Sequence, residues 1–211
     1  MKRSAGFTRL LKGEKMSHYF TNDFVKSKEK EITIIVKNEK LTLVTDNGVF
    51  SKKGLDFGTR TLLETVSDLK GDVLDFGCGY GPVGIYLKKA FNVNIDMVDI
   101  NKRALALAKK NALLNKTEVN IFESNIYSNI LKKYDAIVTN PPVRVGNKIL
   151  YSILFEAKNY LKKDGALWLV INKNQGAKTL AKKLEEYYEV TIAAKNKGFY
   201  VICAKNRWLL S

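Results

Sequence analysis

Apolar positions along the chain follow two alternating periods. Short runs rich in Val, Ile and Leu, typical of buried strands, are followed by stretches whose apolar residues recur every three or four positions, as in amphipathic helices. We predict strands at 72–76, 94–99, 118–123, 134–140 and 165–172, and helices at 59–69, 82–91, 101–115, 147–163 and 176–188. Such alternation predicts a mainly parallel sheet that is covered on both faces.

Both ends of this region break the alternation. Residues 32–36 and 41–45 are β-branched runs separated by four polar residues, which predicts an N-terminal hairpin. Residues 189–195 and 198–205 form a similar pair, so we expect the last two strands to be antiparallel to each other. The predicted fold is therefore α/β, with a doubly wound, mainly parallel seven-stranded sheet and an N-terminal β-hairpin extension.

The chain divides into four predicted parts. They are a leader at 1–15 that is either disordered or foreign to the native protein, a hairpin and covering loop at 16–58, a main domain at 59–206 and a tail at 207–211. The basic N-terminus lacks the apolar stretch of a secretory signal, although a short organellar transit segment stays open. No apolar run approaches the length of a membrane span, so we expect no membrane contact.

Composition narrows the possible chemistry. His18 is the only histidine, and Cys78 and Cys203 lack metal-ligand spacing, which excludes Cys/His zinc sites and histidine general-base catalysis. Because Cys/His metal ligands are lacking, we predict a protein without a metal. Two lone thiols suit a reducing compartment, so we predict that the protein is cytoplasmic. The net charge of +15 favours a polyanionic partner such as nucleic acid, the alternative being a lysine-rich surface that is merely solvated.

A glycine-rich turn follows the first predicted parallel strand. "LDFGCGYGPVG" places Gly77, Gly79 and Gly81 at the carboxyl end of that strand, where open α/β sheets bind ligands. Glycines permit a tight turn and let a ligand approach the backbone. Asp99 ends the next strand, where a carboxylate can accept hydrogen bonds from ribose hydroxyls. The pattern suits a dinucleotide or S-adenosylmethionine.

Asp75, two residues before the first glycine, distinguishes these two ligands. Its negative charge would repel a pyrophosphate but would attract the free ammonium group of S-adenosylmethionine. "GYGPVG" does satisfy the G-x-G-x-x-G pattern, so an NAD(P)-dependent oxidoreductase is the alternative function. A purely structural alternative is that Asp75 caps the loop.

The stretch "IVTNPPVR" contains two of the three prolines of the chain, at the end of the predicted strand 134–140. In a doubly wound sheet this strand lies beside the first one, so Asn140, Pro141 and Pro142 would lie beside the methyl group of the cofactor. The Asn140 side-chain oxygen and the Pro141 carbonyl could accept hydrogen bonds from a planar NH₂ group, and the prolines would hold them rigid. The alternative is a simple strand terminator.

These motifs carry a resemblance to a known family. "DFGCGYG", "VDIN" and "TNPP", in that order, resemble class I S-adenosylmethionine-dependent methyltransferases, which have a Rossmann-like fold. "GVFSKKGLDFGTRTLLE", "LWLVINKNQGA" and "KGFYVICAK" resemble the ribosomal RNA small-subunit methyltransferase C family, in its short single-domain branch, over residues 17–206. The resemblance implies methylation of guanine N2 in small-subunit ribosomal RNA. The alternatives are adenine N6, a protein glutamine amide, or a non-catalytic RNA-binding assembly factor.

The motifs, the resemblance, and the basic and aromatic residues near the Asn-Pro-Pro turn together give three sets of site residues. The catalytic residues are Asn140, Pro141 and Pro142. The residues expected to bind S-adenosylmethionine are Asp75, Gly77, Cys78, Gly79, Gly81, Asp99, Ile100, Asn125, Ile126, Phe57, Gly58 and Thr59. The residues expected to bind RNA are Val143, Arg144, Lys148, Phe50, Lys53, Lys197 and Phe199.

Two positions depart from the family pattern. Asn125 stands where relatives often have Asp, so its contact with the adenine amine would lack a charge. Val143 stands where Phe or Tyr usually stacks on the flipped base, so stacking would come from Phe50 or Phe199. This departure counts against a DNA adenine enzyme and against a glutamine-amide enzyme.

Overall fold

A computed structural model describes residues 27–47, 54–142 and 146–207 of the chain. Two strands come first, β1 (Lys30–Val36) and β2 (Glu39–Thr45). The remaining elements are α1 (Phe57–Thr65), β3 (Asp72–Phe76), α2 (Pro82–Phe91), β4 (Asn94–Asp99), α3 (Lys102–Leu114), β5 (Asn120–Glu123), β6 (Tyr134–Thr139), α4 (Asn147–Glu156), β7 (Leu161–Asn172), α5 (Ala177–Leu184), β8 (Tyr188–Asn196) and β9 (Phe199–Asn206).

Seven strands form one sheet in the order β5-β4-β3-β6-β7-β9-β8. Neighbours from β5 to β7 pair in parallel, whereas β9 runs antiparallel to both β7 and β8. β1 and β2 form a separate antiparallel hairpin. The predicted doubly wound sheet with an N-terminal hairpin is therefore confirmed.

Helices cover both faces of the sheet. Val73 and Leu74 are adjacent in β3 and so point to opposite faces, and both are fully buried. Apolar residues of the hairpin and of α1, α2 and α3 pack on the face of Val73, while those of α4 and α5 pack on the face of Leu74. Within the described ranges, no helix has the length and apolar character needed to cross a membrane.

Two asparagines fasten the hairpin to α3. The Asn111 side chain accepts from the Val44 N–H at 2.6 Å and donates to the Val44 carbonyl at 2.9 Å. One helical turn later, Asn115 makes the same pair of bonds with Thr42, at 3.1 and 2.7 Å. The two carboxamides therefore bond to β2 as a neighbouring strand would.

Asp46, directly after β2, provides a second link to α3. Its carboxylate accepts from Arg103 Nε at 3.0 Å and from Nη2 at 2.5 Å, and also from the Lys28 backbone N–H at 2.7 Å. Burial alone would raise the pKa of Asp46, but the Lys28 and Arg103 hydrogen bonds outweigh it and lower the pKa to about 2. The hairpin is thus held by a charged pair as well as by apolar contacts.

Some predicted boundaries are wrong. The helix predicted at 147–163 ends at Glu156, and a short 3₁₀ turn leads into β7, which starts at Leu161 rather than at 165. The added strand residues contain a bulge, because Tyr134 pairs with Leu161 while Ala136 pairs with Ala166. The helices predicted to reach 69 and 188 end at Thr65 and Leu184.

Candidate active site

Strand register brings the sequence motifs to one edge of the sheet. In β3, Asp75 is in register with Met97 of β4 and with Val138 of β6. Two residues further along these parallel strands, Asp99 and Asn140 therefore reach the same edge, on either side of the glycine turn. The structure thus places the three motifs beside one another, as the doubly wound order predicts.

The glycine turn leaves open space above its backbone. Gly77 and Gly79 have φ angles of 72° and 56°, which favour glycine, and a Cβ at either position would meet no described atom within 4 Å. The N–H groups of Gly77 and Cys78 both donate to the Val98 carbonyl at 2.9 Å, which fixes the turn. A ligand could therefore approach this backbone closely.

Gly81 and Cys78 face the protein interior instead. Gly81 has a φ of 95°, and a Cβ there would lie 2.9 Å from Met97 Cε and 3.3 Å from Ala108 Cβ. Cys78 is buried, and burial raises the pKa of its thiol well above the ordinary value. Packing explains both residue types, and the cofactor contacts expected for them stay predictions.

Asp75 is a buried carboxylate with an unusually high proton affinity. Its side chain is 2% exposed and accepts a hydrogen bond of 2.8 Å from the Gly84 N–H in the first turn of α2. Burial, and then the negative charge of Asp99, raises the pKa of Asp75 to about 7, although the Gly84 N–H acts to lower it. Asp75 therefore does cap a helix, but no described residue gives it a cationic partner.

Asp99 is held by backbone donors at the end of β4. One carboxylate oxygen accepts from the Gly79 N–H and the other from the Asn101 N–H, each at 2.9 Å. Burial raises the pKa of Asp99, although the side chain keeps some exposure, as does Ile100 next to it. Because each oxygen has a second lone pair, the carboxylate can also accept from hydroxyl groups of a ligand.

The segment after β5 has a constrained backbone at the same edge. Ser124 N–H donates to the Asp99 carbonyl at 3.1 Å, and its hydroxyl donates to the Ile126 carbonyl at 2.9 Å. Ile126 has a φ of 55°, a left-handed conformation that is costly for a β-branched residue. Asn125 is exposed. Strained backbone of this kind is concentrated at ligand sites, and the adenine contacts expected here stay predictions.

Asn140 is bonded to the start of α1. Its carboxamide nitrogen donates to Thr59 Oγ1 at 2.8 Å and makes a longer contact of 3.5 Å with Asp56 Oδ1. The Thr59 hydroxyl donates to Asp56, whose carboxylate also accepts from the Thr59 N–H at 3.0 Å. The structure thus places Thr59 beside Asn140, while the cofactor contacts expected for Phe57, Gly58 and Thr59 stay predictions. The sequence reasoning missed Asp56. Its signal was the helix N-cap pattern Asp-x-x-Thr.

The two prolines lie differently in the structure. Pro141 is buried, whereas Pro142 and Asn140 are partly exposed. Just before them, the buried Thr139 hydroxyl donates to the Phe76 carbonyl at 2.8 Å and ties the end of β6 to β3. The Asn140 corner is therefore accessible and firmly attached to the strand that carries the glycine turn.

The β8–β9 turn reaches the same corner. Phe199 lies 5.9 Å from Phe57 between ring centroids, and a Cβ at Gly58 would come within 2.8 Å of the Phe199 ring. Lys197 Nζ lies 5.2 Å from the Phe57 centroid. The structure thus brings the predicted substrate residues Lys197 and Phe199 next to α1, with Phe199 partly buried by this packing.

The other predicted RNA-binding residues are less well defined. Lys148 is exposed in the first turn of α4, shortly after the prolines. Phe50, Lys53, Val143 and Arg144 lie outside the described residues, as does the predicted leader at 1–15. In the described part of the chain, no group of three or more His, Cys, Asp or Glu side chains is arranged to hold a metal ion.

The strand order and the glycine turn define a class I S-adenosylmethionine-dependent methyltransferase fold. The model of the family described as methyltransferase small domain matches residues 40–203, and the chain belongs to this family. Methyltransferases with this fold take their methyl group from S-adenosylmethionine, as the name of the class states. The open space above Gly77 and Gly79 and the buried Asp75 without a described cation fit this cofactor, which carries a free ammonium.

Three similar proteins illustrate the relationship. The uncharacterised protein YbxB of Bacillus subtilis is 41% identical over 196 residues, which cover 89% of this chain and 98% of that protein. Ribosomal RNA small subunit methyltransferase C of Psychromonas ingrahamii is 39% identical over 68% of this chain, which spans only 43% of that longer relative. A solved T. thermophilus 16S rRNA N2 methyltransferase, in complex with AdoMet and guanosine, shares the fold with a TM-score of 0.75 and 22% identity, covering 86% of this chain and 52% of that one.

Proposed function

We propose that the protein methylates an exocyclic amine of an RNA base, with guanine N2 of small-subunit ribosomal RNA as the acceptor. The position of Asn140 supports this proposal most directly. Its side chain lies at an accessible corner beside the glycine turn, and its nitrogen is already bonded to Thr59. The remaining carboxamide oxygen is a hydrogen-bond acceptor, which is what an amino substrate needs.

The acceptor chemistry follows from the properties of aromatic amines. The lone pair of such a nitrogen is delocalised into the ring, so the nitrogen is a weak nucleophile. The Asn140 side-chain oxygen and the Pro141 carbonyl would accept its two hydrogens and favour the positive charge that develops as the new N–C bond forms. The rigid prolines would keep both acceptors in place, which contributes orientation. The methylated cation then loses a proton to water, so no histidine is needed.

The residues around the glycine turn would hold the cofactor. When bound, S-adenosylmethionine supplies a methyl group on a sulfonium centre. Asp75 would pair with the ammonium of the methionine portion, and Asp99 would accept from the ribose hydroxyls. Ile100 would pack against the adenine, and the constrained segment 125–126 would contact its edge.

Basic and aromatic side chains around the site support an RNA substrate. Lys197 lies over Phe57, and Lys195 Nζ lies 5.3 Å from the Tyr200 ring centroid on the same hairpin. Extruding a base from structured RNA costs a few kcal/mol, which contacts between lysines and phosphates can supply. The net charge of +15 is consistent with such binding. We expect Lys148 to contribute as well.

Methyl transfer to undermethylated 16S rRNA and 30S subunits, with isotopically labelled S-adenosylmethionine, tests the proposal. Nucleoside digestion and mass spectrometry should detect labelled N2-methylguanosine with the wild type. Asn140→Ala should lower the rate about a hundredfold or more while S-adenosylmethionine still binds, because a preorganised acceptor is lost. Asn94→Ala, at an exposed asparagine at the start of β4 and so at the opposite edge of the sheet, is the matched control and should keep full activity.

Each outcome is informative. Label found only in adenosine or in protein would overturn the proposed acceptor. Equal incorporation by wild type and Asn140→Ala would overturn the proposed role of Asn140.

A further inference from the structure

We infer that Asp56 and Thr59 are positioning residues that fix the orientation of the Asn140 carboxamide. In this orientation the site accepts hydrogen bonds from an amino group and rejects a base that lacks one. The inference rests on the proposed function and adds to it a residue pair that determines specificity.

The direction of each hydrogen bond follows from the chemistry of the three side chains. An ionised carboxylate such as Asp56 can only accept, so the Thr59 hydroxyl must donate to it. The Thr59 oxygen is then left as an acceptor, and Asn140 must face it with its NH₂ group, at 2.8 Å. The Asn140 oxygen is therefore directed away from this pair.

The opposite carboxamide orientation is disfavoured by the same partners. It would place the Asn140 oxygen against a Thr59 oxygen whose proton is already committed to Asp56. It would also bring that oxygen to the 3.5 Å position opposite Asp56 Oδ1, where two acceptors would repel each other. The charge at Asp56 thus sets the orientation of an amide that is 84 residues away in the sequence.

The pair is mounted on a rigid part of the molecule. Asp56 caps α1 through the Thr59 N–H, and the Thr59 side chain is 4% exposed. Phe199 packs against Gly58 so closely that any larger residue there would displace the ring or Asp56. Little freedom remains for the pair to rearrange, so the orientation of Asn140 is built in before any substrate arrives.

A nucleoside pair provides a direct test. Guanosine has a 2-amino group and inosine does not, and the two are otherwise alike. We would titrate each nucleoside into the wild type bound to S-adenosylhomocysteine. Calorimetry should show that guanosine binds at least tenfold more tightly than inosine, because inosine leaves the Asn140 oxygen without a hydrogen-bond donor. Asp56→Asn should bring this ratio close to one. An asparagine at position 56 still caps α1 well, but its NH₂ group can donate to the Thr59 oxygen. The Thr59 hydroxyl is then free to donate to Asn140, whose carboxamide would no longer be held in one orientation.

Turnover should follow the same pattern. Asp56→Asn and Thr59→Val should lower kcat for the RNA about tenfold to a hundredfold, because the acceptor is no longer oriented. In Asp56→Asn the KM for S-adenosylmethionine should stay within about twofold, because the side chain of Asp56 contacts Thr59 and Asn140. Thr59→Ser, which keeps the hydroxyl, should restore most of the activity.

Thr61→Val is the matched control. Thr61 is also a buried threonine of α1, at 3% exposure, and its hydroxyl donates to the Phe57 carbonyl at 2.8 Å. If Thr61→Val lowers kcat as much as Thr59→Val does, the effect of Thr59→Val is structural and the inference is overturned. A guanosine preference that survives in both Asp56→Asn and Thr59→Val also overturns it, while leaving the proposed function intact. A wild type that methylates no base amine overturns the proposed function instead, and the inference with it.

Discussion

Asp46 and Asp75 are similarly little exposed to solvent, at 4% and 2%, yet their acidities differ widely. At the hairpin, hydrogen bonds from Lys28 and Arg103 outweigh burial and lower the pKa of Asp46 to about 2. At the carboxyl edge of the sheet, burial raises the pKa of Asp75 to about 7, and its hydrogen bond comes from the backbone of Gly84.

We propose that the difference separates a structural carboxylate from one that is prepared for a ligand. The protein supplies Asp46 with its cation and gains stability from the pair. It leaves Asp75 without one among the described residues, on the strand that leads into the glycine turn. Asp72, at the other end of β3, follows the structural pattern, because the hydrogen bond from Lys162 at 2.8 Å lowers its pKa. The missing charge at Asp75 is the one that the ammonium of the cofactor would bring.

Removing the cation from the hairpin should give the largest effect. Arg103→Met leaves the buried Asp46 carboxylate without its cation, with hydrogen bonds only from Ser27, Lys28 and Asn47 among the described residues. We expect the free energy of unfolding to fall by about 3 kcal/mol in urea titrations at neutral pH. Adding Asp46→Asn should recover part of this loss. Because the pKa of Asp46 is lowered, its contribution is present above the ordinary value of 3.8 and is lost as the pH falls toward 2. A loss below about 1 kcal/mol would show that the pair contributes no more than an exposed ion pair.

Neutralising the two ends of β3 should separate binding from stability. Asp75→Asn should weaken S-adenosylmethionine binding about tenfold to a hundredfold at pH 8, because the buried partner of the ammonium loses its charge. Asp72→Asn, on the same strand, should leave the Kd unchanged. Titration calorimetry measures both. Equal Kd values for wild type and Asp75→Asn would remove Asp75 from the cofactor site.

The pH dependence of cofactor binding should be smaller but diagnostic. Below pH 7 the free Asp75 carboxyl holds a proton that the ammonium must displace, so the Kd should rise as the pH falls, by at most about tenfold per pH unit. Above that pH the Kd should level off. Calorimetry in buffers of different ionisation enthalpy should detect proton release near pH 7. Asp75→Asn should lose most of this dependence, and the remainder would come from Asp99, whose pKa is also raised.

The parts of the fold set by local chemistry could be predicted from the sequence. β3 and α2 have the predicted bounds, because glycines supply the positive φ angles of the turn and Pro82 suits the first turn of a helix. The strand order then brings Asp99 and Asn140 to that turn. These features need only local patterns and the general rules for parallel sheets.

Long-range contacts could not be predicted in this way. Asp56 resembles an ordinary helix cap, and its contact with Asn140 joins two residues that are 84 positions apart in the sequence. Asn111 looks like a polar surface position of an amphipathic helix, but it is fully buried against the hairpin. The sequence misplaces the end of α4, because Leu161 continues the helical spacing, whereas its pairing with Tyr134 of β6 makes it part of the sheet.

The asparagine pair on α3 has a consequence for how the protein behaves in concentrated solution. A two-stranded ribbon exposes two rows of unpaired backbone groups, each of which can recruit a strand from another molecule. Asn111 and Asn115 occupy the donors and acceptors of Val44 and Thr42, so the β2 row is closed to such recruitment. The backbone amide protons of Val44 and Thr42 should therefore exchange slowly with solvent. A helix shields this row from aggregation without the need for a third strand.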